Sequence, residues 1–382
     1  MMSWEPLVAL LALVAGVTAA PRWAPAARLL RWLPAPLWCY VLPMLAVGAG
    51  WLPAQDPWYA RLTSSLLPFA LALLLLGVHL PSVWTAGGPA LAAMALGALS
   101  IIAGVPLIAA GCRAWLPDEA WTGVGALAGT WTGGSMNLLA LRTVLDVPES
   151  IFTALILVDA VVAYGWMAVL VAASPHEPAL NRWLRAEAAM PAAPRLPTAA
   201  AKAGSGAIAA GVIVSAALAA ASGRLAQLLP ATRLVPSAGG WTILLVTTLA
   251  LAASCWGALR RLGEAAAPLG TFGLYLVLAA MGSQAQPEAL WAAPAWLLVG
   301  LGVVLLHGAV MLLGGRLLRL PLGILATASQ ANFGGVVSAP LVAAVYHPRL
   351  MPLGLCLAIA GNAFGTYAGL LAAGFARWLT QF

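Results

Sequence analysis

Long apolar runs alternate with short polar punctuation from one end of the chain to the other. Runs near the ~20 residues that a helix needs to cross a hydrocarbon core of roughly 30 Å fall near 4–20, 34–52, 63–80, 88–112, 120–143, 150–173, 204–221, 239–259, 265–285, 290–315, 320–345 and 351–375. Lipid offers no hydrogen bonds, so a chain of this pattern must satisfy its backbone inside helices. The prediction is an all-α polytopic membrane protein without a soluble domain, the longest polar stretch being 174–203. Two runs are interrupted. Gly129-Thr-Trp-Thr-Gly-Gly-Ser-Met-Asn137 and Ser329-Gln-Ala-Asn-Phe-Gly-Gly-Val-Val-Ser338 each put a Gly-Gly pair among Ser, Thr, Asn or Gln in mid-run. Polar or unwound backbone at that depth persists only when buried in protein or lining a cavity, and its recurrence in two halves points to a transporter's binding site.

The halves also align elsewhere. At an offset of about 203 residues, Gly77-Val-His79 meets Gly282-Ser-Gln284, Gly133-Gly134 meets Gly334-Gly335, and Asp159-x4-Tyr164 meets Asn362-x4-Tyr367. The expected organisation is a first transmembrane repeat over 1–173, a Pro- and Ala-rich basic linker over 174–203, and a second repeat over 204–382. Parity then conflicts with charge. Two six-span halves would point the same way, whereas inverted repeats need an odd number of crossings. Arg22, Arg28 and Arg31 want the first loop inside, as does the basic linker, yet five predicted spans separate them. One run must be a half-membrane or interfacial segment, and the pattern does not say which.

Composition narrows the class further. Of 382 residues, 63% are hydrophobic and 8% charged, which excludes a soluble enzyme or binding module. The net charge of +7 does not signal nucleic acid, because Arg260, Arg261, Arg316, Arg319 and Arg377 sit at run ends, where they mark the inner side. Trp32, Trp51, Trp58, Trp115, Trp121, Trp291 and Trp378 lie near run ends, as an interfacial aromatic belt does. Cys39, Cys112, Cys255 and Cys356 are scattered singly and read as packing residues. Val17-Thr-Ala-Ala20 looks like a signal cleavage site, but Met1-Met-Ser-Trp-Glu-Pro6 carries no basic residue, so the first run is read as a retained helix.

Asp159 is the one carboxylate near the middle of a strongly apolar run. An ionisable group there costs roughly 2.5–3.5 kcal/mol on insertion scales. It is therefore a candidate proton or cation acceptor, against the alternative of a structural Asp bonded to a neighbouring helix. Its counterpart, Asn362, has the same shape without the charge. The interruptions supply compact donors and acceptors: Thr130, Thr132, Gly133, Gly134, Ser135 and Asn137 in the first, Gln330, Asn332, Gly334, Gly335 and Ser338 in the second. A broken helix presents a positive N-terminal end, suited to a carboxylate, and freed carbonyls suited to Na⁺. Close helix packing is the rival explanation, since Gly125-x3-Gly129 and Gly129-x3-Gly133 are small-xxx-small spacings. It accounts for the glycines and not for the polar residues beside them. His307 sits mid-run and His79 closes the third, each open to proton relay or to hydrogen-bonded packing. Arg142 reads as a snorkelling residue.

The two interruptions, with Val158-Asp-Ala-Val-Val-Ala-Tyr164, resemble the YjcL-like membrane proteins, domain-of-unknown-function family 819, over nearly the whole chain. That family is similar in turn to the cation:proton antiporter and bile-acid:sodium symporter superfamily. The resemblance implies inverted repeats, a discontinuous crossing helix in each, a core domain moving elevator-fashion against a scaffold, and a homodimer. It places Thr132–Asn137 at the first break, Gln330 and Asn332 as the polar pair of the second, and Asp159 where antiporters keep an ion-binding aspartate. Val158, and the lack of an acidic residue in the second break, depart from those patterns.

The expected function is secondary active transport, in the cell inner membrane, of a small organic solute, carboxylate-bearing by the helix-end electrostatics. Coupling would be to Na⁺ or H⁺ through Asp159, Asn137 and Gln330, with no other cofactor. The alternatives are a cation/proton antiporter with Asp159 as carrier and, in another class, an intramembrane hydrolase using Ser135 with His307 as base. The hydrolase is disfavoured, because a one-nucleophile enzyme does not predict two matching breaks and the chain has no His-Glu-x-x-His motif.

Overall fold

The structure, a computed structural model, describes residues 4–23, 35–186, 204–285 and 293–379, and every regular element among them is helical. In chain order these are α1 (Glu5–Ala19), α2 (Ala35–Gly48), α3 (Pro57–Leu76), α4 (Leu80–Trp84), α5 (Gly88–Gly111), α6 (Ala120–Gly133), α7 (Ser135–Val144), α8 (Glu149–Ala173), α9 (Glu177–Leu184), α10 (Ser205–Ala226), α11 (Ala238–Ser254), α12 (Gly257–Gln284), α13 (Ala293–Leu317), α14 (Leu322–Tyr346) and α15 (Met351–Leu379). Eight described helices are long and apolar enough to cross a membrane, and α2 and α11 are shorter apolar helices. The polytopic, all-α reading of the apolar runs holds. Starts are set by ordinary capping chemistry: Asp56 accepts from Trp58 N at the head of α3, and Ser237 from Gly240 N at the head of α11.

The chain forms two compact units, and each takes segments from both halves of the sequence. The first comprises Met1–Val78, Pro148–Ala160 and Ala201–Ala293. Its centre is α12, whose glycines admit neighbouring backbone. A methyl group on Gly263 would strike the backbone at Gly77, and one on Gly282 the Tyr40 carbonyl of α2. Tyr40 donates to Glu149 Oε1 at 2.9 Å and shares a hydrogen bond with Thr153 Oγ1 at 2.8 Å, which ties α2 to the start of α8. By contrast, α1 and α10 are each only 17% buried, as apolar helices facing lipid are.

The second unit comprises His79–Val147, Val161–Ala200 and Pro294–Phe382. Its apolar core joins α5, α14 and α15 through small residues such as Ala90, Ala93, Ala331, Ala339 and Ala358. Part of the expected linker is structured here. Residues 177–184 form α9, and Asn181 Oδ1 accepts from Leu322 N at 2.7 Å, capping α14, whose own N-cap residue, Pro321, has no side-chain acceptor. Arg316 donates to the Trp183 carbonyl and stacks 4.7 Å from its ring centroid. The rest of the linker, 187–203, lies outside the described residues, as do Arg28, Arg31, Trp32 and Trp291. His79 is a cap rather than a span residue, its Nδ1 accepting from Ser82 N at 3.0 Å.

Candidate functional site

Both Gly-Gly interruptions break their helices at the second glycine. Gly134 has φ 80° and ψ 171°, and Gly335 has φ 72° and ψ −157°, a backbone region open essentially to glycine alone. Beyond each break the chain departs from the expected discontinuous crossing helix. Were α6 and α7 to run on in line, residues 125 and 145 would stand about 30 Å apart. Instead the Leu145 Cδ1 atom lies 2.5 Å from the point a methyl on Gly125 would occupy, and Leu141 fills the same place at Gly129. In α14 a straight helix would separate residues 323 and 346 by about 35 Å, yet a methyl on Gly323 would lie 3.3 Å from Tyr346 Cβ. Each interruption is therefore the tip of a helical hairpin whose return arm packs back on its entry arm. Neither the run at 120–143 nor that at 320–345 is one straight helix.

The tips meet. A methyl on Gly335 would lie 3.8 Å from Gly134 Cα, and one on Gly134 would lie 3.3 Å from Asn362 Oδ1 on α15. Gly134, Gly335 and Asn362 thus come together, with Gly133, Ser135 and Gly334 next to them along the chain. Five others hydrogen-bond within the hairpins or to the helix beside them. Asn137 Nδ2 donates to the Gly133 carbonyl at 2.7 Å, and its Oδ1 accepts from Thr366 Oγ1 at 2.7 Å. In the same register of the other hairpin, Ser338 Oγ accepts from Gln330 Nε2 at 3.0 Å, across the break. Thr132 turns back on its own helix, donating to the Ala128 carbonyl at 2.8 Å. Thr130, buried, accepts the Gly134 N–H on its carbonyl. Two oxygens stand apart. Gln330 Oε1 and Asn332 Oδ1 have no hydrogen-bond partner, although these residues are 1% and 0% exposed. A buried orphan acceptor costs about 1–3 kcal/mol, which a bound cation would remove. Asn332 reaches α5 with its Nδ2, 3.4 Å from the Met94 carbonyl.

Asp159 is half-buried on α8 and belongs to the first unit, next to last in its segment. Arg142 is half-buried in the last turn of α7. His307 is fully buried, and both its ring nitrogens are engaged: Nδ1 with Ser100 Oγ at 2.8 Å and Nε2 with Ser329 Oγ at 2.8 Å. Trp166 Nε1 donates to the same Ser329 Oγ at 2.7 Å, and Ser100 Oγ donates to the Gly97 carbonyl at 2.6 Å. An indole N–H can only donate and a carbonyl can only accept. The chain is closed at both ends, so of the two readings of His307 it supports packing and not a proton wire.

Sequence reasoning missed the second half of the glycine contact. Gly361, Gly365 and Gly369 of α15 face Gly133, Gly129 and Gly125 of α6 in antiparallel order. A methyl on Gly365 would lie 2.8 Å from the Gly129 carbonyl, and one on Gly369 would lie 2.6 Å from that of Gly125. The signal was present, since α15 carries the same small-xxx-small spacing as α6. Thr366, Ser100 and Trp166 carried no such signal. Of the packing and site explanations set against each other from sequence, packing accounts for the glycines: the stripe carries the helices to the tip, and polar residues beside it brace the turn.

Over residues 8–382 the chain matches the sequence profile of a family described as "Protein of unknown function (DUF819)". No curated protein matches it.

Proposed function

The chain belongs to domain-of-unknown-function family 819, and on that premise we propose that it is a secondary transporter, in the cell inner membrane, of a small carboxylate-bearing solute coupled to Na⁺ or H⁺. The observation that carries the reading is the meeting of two hairpin tips in one unit. At each tip an entry arm ends and a return arm begins, so the same small volume receives two positive helix ends and two negative ones. The former suit a carboxylate and the latter a cation. Gln330 Oε1 and Asn332 Oδ1, acceptors without donors, add cation-seeking oxygens that cannot take up a proton at neutral pH. The unit with both hairpins is assigned as the moving core and the other as scaffold, in a homodimer, as the family resemblance implied. The hydrogen bonds of His307 to Ser100 and Ser329 count against the hydrolase reading.

Membrane sidedness supports the same picture. If the hairpins do not cross and the shorter α2 and α11 do, α1, α2, α3, α5 and α8 give the first half five crossings, and α10 to α13 with α15 give the second half five. An odd number inverts the second half relative to the first. Four crossings then separate the first basic loop from the basic linker, and the conflict between charge and parity disappears. Arg377 moves to the side opposite Arg260, Arg261 and Arg316. In a cysteine-free background, L318C and R349C, which flank the second hairpin, are expected to react with an impermeant maleimide from the cytoplasmic side only. R113C and S150C, which flank the first, are expected to react from outside only. Labelling of the Leu318 and Arg349 positions from opposite sides would restore a spanning helix and remove the proposal's basis.

The function itself is tested by thermal unfolding of the purified protein in NaCl and KCl of equal ionic strength, beside Asp159→Asn. A ligand bound only by the folded state adds RT ln(1+[L]/Kd), about 2.7 kcal/mol at a hundredfold excess over Kd. Na⁺ is expected to raise the melting temperature of the wild type and to lose that effect in the variant. A pH-dependent transition present in the wild type, missing in the variant and indifferent to Na⁺ would instead make Asp159 a proton carrier, the antiporter reading. No difference under either condition would leave Asp159 structural.

A further inference from the structure

The orphan oxygens sit on an arm that has to be held in place from outside, because the Gly335 break interrupts the continuous helix that would otherwise hold it. The hydrogen bonds at His307 do this from three directions. Ser100 of α5 spends its only proton on the Gly97 carbonyl, so at His307 Nδ1 it accepts, and the ring carries its proton there. Ser329 of α14 accepts from Trp166 of α8, which leaves its own proton for His307 Nε2. With the neutral, Nδ1-protonated ring, every proton in the chain Trp166–Ser329–His307–Ser100–Gly97 is used once. Ser329 directly precedes Gln330. The packing agrees with the hydrogen bonding: a methyl on Gly97 would lie 3.1 Å from His307 Cε1 and would strike Asn332, and Phe333 packs edge-on to the His307 ring with centroids 4.9 Å apart and stacks on Trp131 at 5.3 Å.

We propose that His307 is the positioning residue of the second hairpin: acting through Ser329, it fixes the register of arm 322–334 and so holds the unpartnered oxygens of Gln330 and Asn332 in place. This rests on the transport reading only in what those oxygens bind. The positioning role stands or falls separately. A glutamine at 307 can accept from Ser329 and donate to Ser100 with one carboxamide, whereas a phenylalanine fills the space and can do neither.

The test is hydrogen–deuterium exchange on the full-length protein in Na⁺-free KCl, comparing wild type, H307Q and H307F. In H307F, exchange across 322–334 is expected to rise on the order of tenfold, the loss of about one buried hydrogen bond, with little change across 120–144. H307Q is expected to stay near wild type. Equal acceleration of both hairpins in H307F, no change in either, or H307Q behaving as H307F would each overturn the proposal. Should H307F fail to fold, S329A removes the same link without altering the ring site, and the same selective rise is expected. Adding NaCl separates the two ideas. If the wild-type arm gains no protection from Na⁺, Na⁺ binding at these oxygens fails while the comparison of variants still decides the role of His307.

Discussion

Gly361→Ala is expected to lower the melting temperature sharply, although it adds one methyl group to a residue in the middle of a long helix. That methyl would strike the Thr132 carbonyl and lie 3.3 Å from Met94 Cε and 3.4 Å from Gly133 Cα. Backbone cannot rotate away as a side chain can, so α15 and α6 would have to separate. Overpacking of this kind costs about 1–3 kcal/mol, sometimes more. The control has the opposite sign. Gly223 of α10 has open space around it, and alanine there should be neutral or stabilising by up to ~1 kcal/mol, since glycine is the poorer helix former. Gly133 and Gly361 share one contact, so the cost of G133A/G361A should fall short of the sum of the single costs. Thermal unfolding of the four variants in one detergent decides it. Similar losses for G361A and G223A would mean that the α6–α15 approach is looser than it stands here. The stripe leads to Asn362, so G361A is also expected to disturb the hairpin tips.

The second large effect is a reversal of rank order between salts. Gln330→Leu removes a buried oxygen without a partner, a relief of about 1–3 kcal/mol, and loses the bond from Nε2 to Ser338, worth about 0.5–1.5 kcal/mol. In KCl the variant should therefore be at least as stable as the wild type. In NaCl the wild type gains the binding free energy of Na⁺, and a tenfold weaker site would forfeit about 1.4 kcal/mol of it. The melting temperatures are expected to cross between the two salts. If Gln330→Leu is less stable than the wild type by one and the same amount in both, Oε1 is not an ion ligand and Gln330 serves only as a brace across Gly335.

Legibility varied with the range of the interaction. Apolar runs were readable because spanning is a local demand on length and hydropathy, and the ends of α5, α8 and α13 fall close to where the runs end, whereas α12 starts eight residues before its run. The breaks were readable because Gly-Gly beside Ser or Asn is anomalous in lipid. Charge and parity together pointed to a run that does not cross. Identifying the hairpins needed information that no single run holds.

By itself, then, the sequence determined that this is a polytopic helical membrane protein with two paired, polar, glycine-broken segments, because each follows from the composition of a short window and from the absence of water in the bilayer. Only the tertiary structure decided that the breaks reverse the chain. A glycine permits both continuation and reversal, and the choice falls to packing between distant residues, Leu145 on Gly125 and Tyr346 beside Gly323. The same holds for the residues that brace the tips. Thr366 meets Asn137, and Ser100 and Ser329 meet His307, across separations at which sequence periodicity carries no signal.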